Sequence, residues 1–192
     1  MPARRPRADA TRNRQQLLDV ATHLFATSKA EPSMRAIAAA AEVGIATLYR
    51  HFPTRESLVD AVYQDQVSRL TTGAHDLLAK HDPPTALRHW MDLFGDWIAT
   101  KNGMLDTLLA MIESGELTHT DTRAELLDAI TTILTAGHAT NTLRSDIPAE
   151  DVAAALIGIF TVAPSPDRGA LATRLLDLLL DGLRHPTSST VD

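Results

Sequence analysis

The chain has 192 residues, no cysteine, 22% charged residues and a formal net charge of −6. Without cysteine it can hold neither a disulfide framework nor a thiolate metal site. The Arg-rich start lacks the apolar segment of a signal peptide, and the longest apolar run, Ala153 to Ala163 broken by Thr161, falls short of the ~20 residues of a membrane span. A cytoplasmic protein with no membrane association is expected, long enough for a small N-terminal domain and a larger one with its own core.

The net charge hides a division. Through Arg55 the chain carries nine Lys/Arg (Arg4, Arg5, Arg7, Arg12, Arg14, Lys29, Arg35, Arg50, Arg55) against four Asp/Glu, while the remainder carries nine basic and twenty acidic residues. A basic end on an acidic body suits a protein that presents one end to a polyanion and has the other repelled by it. A basic tail with no partner is the plainer reading, since five of the nine cations precede Gln15. The other four lie in or beside the segment described next.

Residues 34–53 read as two short helices around a tight turn. Met34, Ile37, Ala38 and Ala41 recur at i, i+3, i+4 and i+7, which places them on one face of a helix. Val43 falls in the turn, and Ile45, Leu48 and Phe52 then recur at spacings of three and four. Ala38 supplies no bulk where two helix axes cross, and Gly44 caps the second helix while tolerating an unusual backbone angle. Pro53 ends the second helix, and Thr54 is a good N-cap for a third. Two helices joined by three or four residues fit a helix-turn-helix. Any small bundle contains short amphipathic helices, so the polar residues decide. Arg35, Thr47, Tyr49, Arg50, His51 and Arg55 fall on the faces left over by the apolar set, and each can donate to phosphate or a base edge.

From Arg14 to Leu58 the chain resembles the DNA-binding domain of the tetracycline-repressor (TetR) family of bacterial transcriptional regulators. The matching residues are Leu17, Ala21, Leu24, Phe25, Met34, Ile37, Ala38, Ala41, Val43, Thr47, Leu48, Tyr49, His51, Phe52, Arg55, Glu56 and Leu58. The run Thr-Leu-Tyr-Arg-His-Phe, followed by Arg55 and Glu56, is the most specific part. Some positions depart from the family pattern. Glu42 stands where Gly is usual, at a turn position that needs a left-handed backbone, so local strain is expected there. Gly44 replaces a common Ser or Thr, Ala46 a common Gly, and Pro32 stiffens a loop that lacks the usual Gly after the first helix. The resemblance implies roles: Arg35 reaches a base, with a fork suited to guanine, and Gly44, Ile45, Ala46 and Thr47 open the recognition helix in the major groove. Ile45 and Ala46 offer only apolar contacts there, as to thymine methyl groups. Tyr49, His51 and Arg55 imply phosphate contacts and the amides after Thr54 an anion-attracting helix start; Arg50 belongs to the DNA-binding set, and a solvated surface residue is the alternative for each, most of all for Arg50.

Beyond Thr54 the pattern is helical throughout. A long helix is expected from Arg55 to about Lys80, coupling the two domains, with others near 85–101, 103–114, 121–141, 149–163 and 167–184, the last two begun by Pro148 and Pro166. Trp90, Met91, Phe94, Trp97, Met104, Leu108, Met111 and Ile112 recur at helical spacing and suit a pocket for a small apolar or aromatic effector; ordinary core is the alternative for each. The final two helices are unusually apolar. In the family the equivalent pair meets its copy in a second subunit, which implies a homodimer interface at Leu156, Ile159, Phe160, Leu171, Leu175, Leu178 and Leu179. His89, His119 and His138 are too scattered for a metal site. No carboxylate pair, Ser-His pair or phosphate loop supports an enzyme.

The expected protein is all-α, with a basic flexible arm at 1–10, a helix-turn-helix domain at 11–70 and an effector-binding and dimerisation domain at 71–192. It needs no cofactor or metal, binds a double-stranded DNA operator, and answers a small molecule as a homodimeric repressor. A helical protein-interaction module of the same fold that has lost DNA binding is the alternative.

Overall fold

A computed structural model of the chain describes residues 5–116, 121–163 and 169–185. The described residues form nine α-helices: α1 (Arg5–Thr27), α2 (Met34–Ala40), α3 (Ile45–His51), α4 (Arg55–Leu78), α5 (Pro83–Gly103), α6 (Leu105–Ser114), α7 (Thr122–Ala139), α8 (Ala149–Val162) and α9 (Gly169–Leu183). The fold is all-α, and the only pairing of extended backbone among these residues is an isolated antiparallel bridge between Leu143 and Arg184. Among the described residues no helix is long and apolar enough to cross a membrane.

The helix ends follow the sequence punctuation. Asp82 caps α5, its carboxylate accepting from the Thr85 amide at 3.1 Å and the Thr85 hydroxyl at 2.9 Å, and these bonds hold its pKa below the usual carboxylate range. Gly115, at φ +72°, closes α6, and Pro148 stands at the N-cap of α8. One boundary differs from expectation. The flexible arm is expected over 1–10, and α1 begins within that stretch, at Arg5. Its Arg- and Ala-rich composition favours helix, and Pro6 sits in the first turn, where no intrahelical N–H bond is lost. Pro166, the expected start of the last helix, and His119 lie outside the described residues.

The chain folds into two compact units, neither of them continuous in sequence. The first comprises Met1–Gln66 and Ile98–Thr120; the second comprises Val67–Trp97 and Asp121–Asp192. The expected division at residue 70 is one of sequence, whereas the segment carrying α6 packs with the N-terminal helices. The first unit buries Leu17, Leu18, Ala21 and Phe25 of α1, Met34, Ile37 and Ala38 of α2, Leu48 of α3, Leu58, Val59 and Val62 of α4, and Met104, Leu108 and Met111 around α6. Within it, α1 packs on α2 and α2 on α3.

The second unit is built on α5. Trp90, Met91, Phe94 and Trp97 are buried, the Trp90 indole donates to the Leu70 carbonyl at 2.8 Å, and the Phe94 ring lies 5.3–6.1 Å from the rings of Trp90, Trp97 and Phe160. Helix α7 packs on α8 and α8 on α9, with Ile130, Ile133, Leu156, Leu176 and Leu180 in the core.

Candidate nucleic-acid interface

Helix α2 starts at Ser33, whose extended backbone lets its hydroxyl accept from the Ala36 amide at 3.2 Å. It stops in a tight turn with two bonds: Glu42 N–H donates to Ala39 O at 3.1 Å, and Val43 N–H to Ala38 O at 3.0 Å. This is the Schellman pattern, and it requires a left-handed residue at position 42. Glu42 supplies it at φ +55°, as the departure from the family's Gly implied. The turn is tied to α1 by Gln16, whose Nε2 donates to Ala41 O at 3.0 Å. Gly44, by contrast, sits in ordinary extended backbone at φ −66° and offers α3 no side-chain cap. The unusual angle expected at Gly44 belongs to Glu42.

Helix α3 is held by one buried residue, Leu48. Ile45 and Tyr49 are 38% and 47% exposed, Ala46 and Arg50 are exposed, and Thr47 and His51 are half-buried. Of the apolar set expected on its inner face, Leu48 and Phe52 are buried and Ile45 is not. The exposed set, together with exposed Arg35 on α2 and Gly44 at the turn, forms an unblocked face of apolar and hydrogen-bonding groups. The helix ends at Phe52, which is extended at φ −135° as a residue before proline must be, and the Arg14 guanidinium lies 5.2 Å from the Phe52 ring centroid. A reciprocal cap then opens α4. Thr54 N–H donates to Ser57 Oγ and Ser57 N–H donates to Thr54 Oγ1, both at 3.1 Å. One of the amides after Thr54 expected to attract an anion is thereby already engaged.

Arg55 departs from its expected place among the phosphate contacts. Its side chain, 24% exposed, turns into the first unit. Nη1 donates to Pro32 O at 2.7 Å, Nε donates to Thr107 Oγ1 at 3.0 Å, and Nη2 lies 2.8 Å from Glu31 Oε2. The physical reason is local: a half-buried carboxylate beside a carbonyl and a hydroxyl satisfies a guanidinium better than solvent does. Nothing in the local sequence marks this, because its partners lie on distant segments.

The eight residues expected to line an effector pocket are divided between the units. Trp90, Met91, Phe94 and Trp97 form the packed aromatic core of the second; Met104, Leu108 and Met111 are core of the first, and Ile112 is 57% exposed. Open cavities in the second unit lie elsewhere. One of about 590 Å³ is lined by Arg144, Ser145, Asp146, Asp181, Gly182, Arg184 and His185, and one of about 290 Å³ by residues of α7 and the segment before α8. At the first, Arg144 clasps Asp146 through Nε and Nη2 at 2.7 and 2.6 Å, which lowers the Asp146 pKa to about 2.

The expected dimer residues also divide. Leu156 and Phe160 are buried in the second unit's own core, so they are not available to a partner. Leu171 and Leu178 are 42% and 68% exposed, and Ile159, Leu175 and Leu179 are half-buried. Ile157 and Val162, which the sequence reading passed over, are 54% and 65% exposed. Among the described residues no cluster of His, Asp or Glu could hold a metal ion.

Two short helices at a Schellman turn, the second anchored by one leucine and otherwise open, define a helix-turn-helix DNA reader. The chain belongs to the TetR family of bacterial transcriptional regulators, and is a transcription factor rather than an enzyme. The family model for bacterial regulatory proteins of the tetR family matches residues 17–62, and that for the C-terminal domain of SbtR-like transcriptional regulators matches residues 82–185. The TetR transcriptional regulator SCO0520 from Streptomyces coelicolor is 41% identical, with a TM-score of 0.84 over 91% of this chain and 99% of that one. A TetR regulatory protein from Mycobacterium vanbaalenii is 32% identical, with a TM-score of 0.72 over 93% of this chain and 98% of that one. The ketosteroid transcriptional regulator KstR2 of Mycobacterium tuberculosis, at 19% identity and a TM-score of 0.58 over 90% of this chain and 95% of that one, shares the fold. No curated protein sequence matches the chain.

Proposed function

We propose that this regulator is a cytoplasmic homodimeric repressor that grips a palindromic DNA operator and is released by a small apolar or aromatic effector. The observation that carries the DNA side of this reading is the α3 face. Ile45, Ala46 and Tyr49 stand exposed and Thr47 half-buried on a helix fixed by Leu48, so Ile45 and Ala46 meet thymine methyls while Thr47 reaches a base edge. Arg35 supplies a fork for guanine, and Tyr49, Arg50 and His51 hold phosphates.

Dimerisation is supported by the exposed apolar residues Ile157 of α8 and Leu171 and Leu178 of α9, with Leu175 of α9 half-buried. A two-fold pair would set two recognition helices about 34–36 Å apart, one turn of DNA. An effector that prefers a dimer with a wider separation lowers operator affinity by the ratio of its affinities for the two states. The packed aromatic cluster of α5 holds both tryptophans of the chain, so its fluorescence would report an effector that binds in the second unit.

The test is selection of binders from a randomised duplex pool, followed by salt titration on the winning sequence. A palindrome whose affinity falls steeply with salt is the expected result, abolished by Thr47→Ala with Tyr49→Phe. Failure to enrich any sequence would favour the interaction module that has lost DNA binding. Sedimentation of Leu178→Lys tests the dimer separately, since a monomer is expected only if that surface is the interface.

A further inference from the structure

We propose that Arg55 positions the recognition helix instead of holding a phosphate, and that Thr107 of α6 completes the clamp, which makes α6 part of the DNA-reading unit. The inference rests on the α2–α3 face being the DNA contact.

Four groups close one circuit within the first unit. Arg55 donates from Nη1 to Pro32 O at 2.7 Å and from Nε to Thr107 Oγ1 at 3.0 Å, and pairs through Nη2 with Glu31 Oε2 at 2.8 Å. The Thr107 hydroxyl, while accepting from Arg55, donates to Glu31 Oε2 at 3.1 Å, and the Thr107 amide donates to Glu31 Oε1 at 3.4 Å. Beneath the guanidinium, the Phe25 ring centroid lies 5.8 Å from its carbon. Nε and Nη1 therefore each donate to a partner, while Nη2 makes no hydrogen bond and is held in the buried corner by the charge of Glu31 alone. To reach a phosphate it would have to leave a carboxylate, a carbonyl and a hydroxyl together, and the adjacent Glu31 cancels the charge that would draw a phosphate in.

The places these groups occupy give the circuit its role. Glu31 and Pro32 directly precede Ser33, the N-cap of α2, and Arg55 directly follows the turn that ends α3. The clamp thus holds the helix-turn-helix at both ends. Its third leg, Thr107, is 8% exposed in the first turn of α6. A second contact fastens the same corner: a Cβ on Gly103 would lie 1.7 Å from the Phe25 carbonyl oxygen, so the backbone leading into α6 runs against the end of α1 with no room for a side chain. The angle at which α3 is presented therefore depends on where α6 sits.

The experiment compares full-length wild type with Thr107→Val, Thr107→Ser and Arg55→Gln. The readouts are affinity for the selected duplex across a salt series and amide exchange along α2. Thr107→Val should weaken DNA binding roughly tenfold, with the salt slope unchanged and α2 exchange faster although the substitution is on α6; Thr107→Ser, which keeps the hydroxyl, should restore both. Arg55→Gln should likewise leave the slope unchanged. If Thr107→Val binds as wild type, or if Arg55→Gln reduces the slope by about 0.9 per subunit as loss of one phosphate contact would, the inference is overturned. If wild type enriches no duplex at all, the DNA reading fails on its own account, and unaltered α2 exchange in Thr107→Val would then overturn the clamp while faster exchange would uphold it.

Discussion

Helices α3 and α5 spend their side chains in opposite ways. Helix α3 has seven residues and buries only Leu48; α5 has 21 and buries Ala86, Leu87, Trp90, Met91, Phe94 and Trp97 along one side. A recognition helix needs enough burial to be held and as much exposed chemistry as its length allows. A core helix needs the reverse. The first kind of function is written in residue types that packing does not demand, such as Tyr49 and Arg50 on an open face. The second is written in the residues packing uses anyway, so an effector pocket and a core read alike.

The largest effect should come from the first unit's closest approach. Gly103→Ala should lower stability by about 3 kcal/mol or more in urea unfolding, since its Cβ meets a backbone carbonyl that cannot swing aside. Gly182→Ala in α9, whose Cβ would have nothing within 4 Å, should instead be neutral or slightly stabilising. Next is the anchor of α3: Leu48→Ala should cost about 3 kcal/mol, whereas Ile45→Ala should stay within about 0.5 kcal/mol while changing which operators are enriched. Equal losses from the two would break the contrast between an anchored inner side and a reading face.

Glu42→Gly should raise stability by about 1 kcal/mol, by relieving a left-handed non-glycine residue, with the urea midpoint shifted and the m-value unchanged. The smallest effect lies in the second unit, at Asp146. Its folded-state pKa is depressed to about 2, so the Arg144 clasp contributes at pH above the ordinary carboxylate range and is lost as pH falls toward about 2. The Asp146 carboxyl carbon, followed by NMR, should titrate near that value in the wild type and return toward the ordinary range in Arg144→Gln.

Most helix positions were legible because the chain punctuates itself. The long helix expected over 55–80 is Arg55–Leu78, and that expected over 103–114 is Leu105–Ser114, set by Thr54, the Pro83-Pro84 pair, Gly103 and Gly115. The exposed face of α3 was legible from residue type. What escaped has one physical origin, the absence of a local signal. Arg55 looks like any other arginine of the motif until Thr107, 52 residues away, and Glu31, 76 residues from Thr107, close around it. In α8 almost every residue from 153 to 163 is apolar, so periodicity could not show that Leu156 and Phe160 face inward and Ile157 outward. The interruption of the first unit escaped for a related reason: a unit completed by a later segment, here Ile98–Thr120, leaves no break in the chain where that segment begins.

That interruption has a consequence for synthesis. The carboxylate beside α2 waits for a hydroxyl and an amide 76 residues downstream, and the end of α1 waits for Gly103. A nascent chain can form its first helices early, but contacts of such sequence separation close late. The DNA-reading unit therefore matures only after α6 has emerged from the ribosome, behind the Val67–Trp97 segment of the second unit. Prematurely terminated chains ending before α6 would carry the whole recognition helix and still lack the Thr107 contacts to Arg55 and Glu31.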